Sequence, residues 1–148
     1  MKKSIIAILF CVAMLLSLIS CNNKIQLNDN CYTSYDGIYL TISSFNKENK
    51  AYLLNAVWHN ETNYSVIYGN EYTIKYNDNG KWKDIANADI EFTEIAHVLE
   101  PNSTNEKTYT TEFFNMSRKG TYALFVTFYI QLEKGVEQGN TYTEFKIK

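Results

Sequence analysis

The sequence predicts an all-β domain, a sandwich of about seven antiparallel strands, and three observations predict it. Tyr and Phe are abundant, at 12 and 8 residues, while Pro occurs once in 148 residues; such a composition suits pleated, half-buried surfaces better than helices. Several stretches alternate apolar and polar residues with a period of two, the repeat of a strand with one buried face. Turn residues separate those stretches at short intervals, the spacing of a β-sandwich. Hydrophobic residues at 45% and charged residues at 20% are ordinary globular values and exclude a wholly disordered chain.

The chain opens with Lys2 and Lys3, followed by an almost wholly apolar run from Ile5 to Ile19 that only Ser17 interrupts. As a helix this run rises about 22 Å, short of the roughly 30 Å hydrocarbon core. Residues 1–20 are therefore expected to be an export signal and not a membrane span. Leu18-Ile19-Ser20-Cys21 resembles the bacterial lipobox, in which a small residue precedes a lipid-accepting Cys. That resemblance implies cleavage before Cys21, lipidation of the Cys21 thiol, and an extracytoplasmic protein anchored to the cell membrane or the outer membrane. Two or three acyl chains hold a protein stably, whereas one holds it only marginally. The formal net charge is −2, and loss of Lys2 and Lys3 takes it to −4. A mildly acidic balance argues against nucleic acid as a partner, because phosphate binding needs a basic footprint.

Residues 21–35 are polar, with Asn22, Asn23, Asn28, Asn30 and Ser34, and read as a flexible tether. From Asn22 to Tyr35 it reaches at most about 46–50 Å. Of three Cys, Cys11 falls in the export signal and Cys21 takes lipid, which leaves Cys31 without an intramolecular partner. The domain is expected from Asp36 to Lys148. Ile38, Leu40 and Ile42 share one face against Tyr39, Thr41 and Ser43. Ala51 to His59 is apolar on both sides and suits a central strand. Tyr72, Ile74 and Tyr76 alternate with Glu71, Thr73 and Lys75, and Asn77-Asp78-Asn79-Gly80 marks a hairpin turn into Lys81-Trp82-Lys83. Asn87 to Leu99 behaves differently: Ala88, Phe92, Ile95, Ala96 and Leu99 recur at helical spacing, with Pro101 as a stop. Tyr122, Leu124, Val126, Phe128 and Ile130 form one strand face, and Ala123, Phe125, Thr127 and Tyr129 the other. Gly135 and Gly139 bracket a polar connection into Thr141 to Ile147.

Gly69-Asn70-Glu71-Tyr72, Asn79-Gly80-Lys81-Trp82-Lys83, Phe92-Thr93-Glu94-Ile95-Ala96, Leu99-Glu100-Pro101-Asn102-Ser103 and Gly120-Thr121-Tyr122 follow one another in that order. Together they resemble a bacterial Ig-like domain family, common in lipoproteins and largely uncharacterised in function, over roughly Ala51 to Lys148. The resemblance implies a seven-stranded Ig-like sandwich in which Phe92 to Leu99 is extended, and that expectation replaces the helix. Asn102 stands where the family tends to have Gly, and Asn tolerates the same left-handed turn. Ala123-Leu124-Phe125 stand where the family usually has a basic residue. The family carries no agreed catalytic residues, so none transfer. Gly120-x-Tyr122 suits a ring buried at the start of a late strand with its hydroxyl bonded to the preceding turn, as in a tyrosine corner. Trp82, between Lys81 and Lys83, is expected to point inward. Trp82, Gly120 and Tyr122 are accordingly structural.

No catalytic constellation emerges. His59 and His97 lie in expected strands, and neither HExxH nor CxxC occurs. Asp84, Asp89 and Glu91 are the densest carboxylates, without the loop pattern of a calcium site. Asn-x-Ser/Thr sequons at Asn60, Asn63, Asn102 and Asn115 arise by chance in so Asn-rich a chain. No metal, cofactor or active site is expected. Phe125 and Tyr129, on one strand face, and Tyr64 and Tyr68 with Ile67, in an expected loop from Asn60 to Asn70, are the candidates for a ligand surface. The plainer alternative has them packed beneath Lys stems and cross-strand neighbours. The functional expectation is a lipid-anchored envelope protein whose domain binds protein or polysaccharide without catalysis. The alternative is an inhibitor of extracytoplasmic proteases that uses a protruding loop at Glu133 to Asn140. A small hydrolase fares worst, since no nucleophile has an evident base.

Overall fold

Alternate burial, the signature of strands with one covered face, runs through most of residues 25–148, which the computed structural model describes. The expected export signal 1–20 and the lipidation residue Cys21 lie outside the described residues. Ten strands form: β1 (Ile25–Thr33), β2 (Ile38–Glu48), β3 (Ala51–Asn60), β4 (Val66–Tyr68), β5 (Thr73–Asp78), β6 (Lys81–Asp84), β7 (His97–Leu99), β8 (Ser103–Thr110), β9 (Gly120–Leu132) and β10 (Gly135–Ile147). All pair antiparallel, in a three-stranded sheet β2-β3-β8 and a seven-stranded sheet built around β9. One side of β9 pairs with β10 along its whole length. The other side pairs with β4 at Phe128 to Ile130 and with β5 at Tyr122 to Phe125. β4 and β5 are thus two halves of one course, broken at 69–72. The ten strands exceed the expected seven because of this break, because β1 forms, and because the sheet edge carries short pieces.

The two sheets meet face to face over an aromatic core. Trp58 of β3 stacks on Tyr68 of β4 at 4.4 Å between ring centroids and meets Phe128 of β9 edge-on at 6.1 Å. Its indole Nε1 donates to the Tyr109 hydroxyl at 3.0 Å. Ile38, Leu40, Leu54, Ile74, Leu124, Ile130 and Phe145 fill the space around them, all fully buried. Asn60, also buried, donates from its amide to the carbonyls of Tyr64, Leu99 and Glu100, and its Oδ1 accepts from Thr62. One side chain thereby closes both loops at that end of the sandwich.

Three sequence-based readings are decided by the structure, and the absence of a helix over 87–99 agrees with what the family resemblance implied. The segment 21–35 is not tether throughout: β1 pairs with β10, from Ile25 opposite Ile147 to Thr33 opposite Thr141. Two of the polar residues that suggested a tether, Asn28 and Asn30, fall where the register shifts between Leu27 and Cys31, while Tyr32 stacks on Tyr142. The helical spacing of 87–99 is not realised, and no helix occurs among the described residues. Ala88 and Ala96 of the supposed apolar stripe are exposed, as is Ile95 at 52%, while Ile90 and Phe92 pack inward two residues apart. The polar connection at 133–140 is the hairpin of β9 and β10, with Gly135 to Asn140 already paired to Thr127 to Leu132. The segment expected as a loop is thus strand up to a turn at 133–134, and residues 133–138 are exposed.

Gly139 faces Phe128 across the β9–β10 ladder, and a Cβ there would lie 2.4 Å from the Phe128 ring. Because that ring is fully buried against Trp58, it has no room to yield. Gly139→Ala is expected to lower the unfolding free energy by about 1–3 kcal/mol, read as a reduced midpoint in urea.

Candidate functional site

The outer face of the seven-stranded sheet carries two cross-strand rows of apolar side chains. In the first, Tyr32, Tyr142 and Phe125 stand directly opposite one another on β1, β10 and β9. Tyr142 lies 5.1 Å from Tyr32 and 4.6 Å from Phe125, so both its faces are covered. Trp82 closes the row with its ring 5.6 Å from Phe125 and 5.7 Å from Tyr142, and Lys75 places its ammonium over Phe125. Trp82 therefore packs on the outer face and not inward, because it pairs with Asn77, on the solvent side of β5. Phe125, Tyr142 and Trp82 spend their faces on one another as a brace, while Tyr32 at the sheet edge stays 53% exposed.

The second row is left open. Tyr129, Ile67 and Val98 are directly opposite across β9, β4 and β7, with Tyr129 at 43% and Val98 at 56% exposure. β7 is the last strand on that side of the sheet. Of the candidate ligand residues, then, Tyr129 lies in an exposed apolar row, and Phe125 is half-buried in the brace. Tyr64 is exposed in the loop before β4, apart from the row. Tyr68 is no surface residue: strand alternation in β4 turns it into the core, where its hydroxyl accepts from Asn105 at 2.7 Å. Sequence reasoning placed Ile67 in a candidate loop and not in a strand, and missed Val98, whose only signal was a single outward position between inward neighbours.

At the flank between β7 and β8, Lys107 points inward. Its ammonium donates to the Gly69 carbonyl at 2.9 Å and to Asn70 Oδ1 at 2.7 Å, and lies over the rings of Tyr68 and Tyr109. Burial pulls its pKa from 10.5 down to about 8. His97 Nε2 shares Asn70 Oδ1 at 2.9 Å, and burial first, then the Lys107 charge, holds its pKa below the ordinary value. His59 stacks on Tyr39 on the outer face of the smaller sheet and bonds Thr41. Gly120 has φ +142°, and a Cβ there would strike the Tyr76 ring at 2.8 Å. Tyr122 is fully buried, and its hydroxyl donates to the Arg118 carbonyl. Among the described residues no group of three or more His, Cys, Asp or Glu is placed to hold a metal ion.

Two antiparallel sheets packed over a Trp-centred core define an immunoglobulin-like sandwich. The family described as Bacterial Ig-like domain matches residues 34–146, and the chain belongs to it. No curated protein matches the chain.

Two outcomes follow from this geometry. Because Tyr129 and Val98 are exposed, Tyr129→Ser and Val98→Ser should each change unfolding free energy by no more than about 0.5 kcal/mol, measured by denaturant titration. For Lys107, whose pKa is lower folded than unfolded, the unfolded chain binds the extra proton between about 8 and 10.5, so stability rises with pH from about 8. Burial raises Tyr72 from 10.0 to about 12, so stability falls again above pH 10 as the unfolded chain ionises. Melting temperatures across pH 7 to 11 should show this rise and fall, and Lys107→Met should lack the rise.

Proposed function

We propose that the protein is a lipid-anchored envelope protein whose Ig-like domain binds a protein partner without catalysis. Membership of the bacterial Ig-like family supports a non-enzymatic interaction module. The observation that carries the binding reading is the row Tyr129–Ile67–Val98, apolar, exposed and open at the β7 edge. Uncovered apolar side chains of this kind gain by burial against a partner. A protein fits better than a polysaccharide, because Phe125, Tyr142 and Trp82 cover one another and leave Tyr32 as the exposed ring of that row. The lipobox-like Leu18-Ile19-Ser20-Cys21 supports the anchor.

Cys21→Ala should shift the protein from the membrane fraction to the soluble fraction; unchanged partition would remove the anchor from the account. Val98→Lys together with Tyr129→Ser should abolish capture of envelope partners by the folded protein. Capture at wild-type level would show that the binding face lies elsewhere.

A further inference from the structure

The charges of this mildly acidic domain are sorted between its two ends. One end gathers the β2–β3 turn, the β5–β6 hairpin, the segment entering β9 and the close of β10. Gly120 pairs with Ile147 and Ile147 with Ile25, so β1 begins at this same end. The turn carries Lys47 and Lys50, the hairpin Lys81 and Lys83, the segment Arg118 and Lys119, and β10 closes on Lys146 and Lys148; all are exposed. Their acidic company is sparse. Asp78 is taken up by Lys83 and Asp84 by Lys75, which leaves Glu48, Glu112 and Asp89. Asp89 lies two residues beyond Asn87, whose N–H donates to the Phe113 carbonyl. The opposite end shows the reverse: Asp36, Glu61, Glu100, Glu133 and Glu137 are exposed there, with Lys134 between them. Thirteen residues of β10 separate the two ends by about 43 Å. That is several times the Debye length of about 8 Å at physiological salt, so each end presents its own field.

A second feature marks the basic end. Phe113, in the segment between β8 and β9, is 42% exposed although its neighbour Phe114 is buried. An exposed aromatic ring at an end rich in cations has the makeup of a group that seats at a lipid–water interface, where the ring enters the acyl boundary and the cations meet phosphate.

We infer that this basic end docks on anionic lipid headgroups, with Phe113 entering the interface. The inference deepens the proposed anchoring, since a lipid at Cys21 would enter the domain through β1 at this end and hold these cations against the membrane. Acylation then holds the protein at the membrane, and electrostatic docking sets which end of the domain faces it. The acidic end, with the loops closed by Asn60, faces away from the bilayer.

The test separates docking from anchoring by using the chain from Asn22 onward, which contains every described strand and the whole core, with its strand-type circular dichroism spectrum as the folding check. Partition is measured by sedimentation with vesicles of phosphatidylcholine, with or without about one-third phosphatidylglycerol. Binding to the anionic vesicles should exceed binding to neutral ones at least about tenfold at low salt, and fall as salt rises. The triple variant Arg118→Glu, Lys146→Glu, Lys148→Glu should lose at least about tenfold, given roughly fivefold per basic residue at an anionic surface. Phe113→Ser should also weaken binding, while Glu133→Gln with Glu137→Gln at the far end should leave it unchanged. Equal partition onto both vesicles, or an undiminished triple variant, would overturn the inference. Because this chain lacks Cys21, neither result bears on the anchor, which fractionation of Cys21→Ala decides separately.

Discussion

Trp58 is the point on which the two sheets depend for their relative position. Its ring reaches from the three-stranded sheet to Tyr68 and Phe128 of the seven-stranded one, and its indole proton goes to Tyr109 on its own sheet. A buried N–H without a partner costs more than a typical hydrogen bond contributes, so the Tyr109 hydroxyl also fixes how the indole lies. Tyr72 extends the arrangement, meeting the Tyr109 ring at 5.0 Å and donating its hydroxyl to the Thr110 carbonyl at 2.7 Å. Tyrosines thus serve twice, as apolar mass and as acceptors or donors for groups that the core would otherwise strand. This accounts for a composition so rich in Tyr without appeal to a ligand.

The outer face of the larger sheet follows the opposite rule at its two sides. From β10 to β6 the aromatic rings cover each other, with Lys75 laid across Phe125. Towards β7 the sheet offers Tyr129, Ile67 and Val98 with no such cover. Cross-strand stacking draws rings together where they are directly opposite, and the residues opposite Tyr129 are the aliphatic Ile67 and Val98. The Lys107 cluster lies on the neighbouring flank and is fully occupied within the fold, its ammonium held by Gly69 and Asn70.

Much of this architecture was legible in the chain, and the exceptions have physical reasons. The alternation from Tyr122 to Ile130 identified the inner face of β9, because one side of that strand is wholly covered. Asn79 and Gly80 adopt φ of 54° and 85°, as their side chains permit and a tight hairpin requires. Asn102, at φ 52°, behaves likewise. β1 was illegible because an edge strand with a shifted register carries no clean alternation. The stretch from Ala88 to Leu99 misled because its apolar residues coincide with helical spacing while the chain spends only some of them on the core. Trp82 misled because flanking lysines do not say which face of a sheet is covered. The exposed row was the least legible part: Ile67 and Val98 become neighbours only through the pairing of β4 and β7, which lie about thirty residues apart in sequence.

The pairing of β1 with β10 also bears on when the domain can form. Ile25 meets Ile147, so the larger sheet is complete only once nearly the whole described chain has emerged. Long-range pairings of this kind must wait for loop closure and form late. A chain threaded across a membrane from its N-terminal end would stay unfolded, and therefore passable, until its final strand arrives. Folding would then be completed by β1 returning to β10.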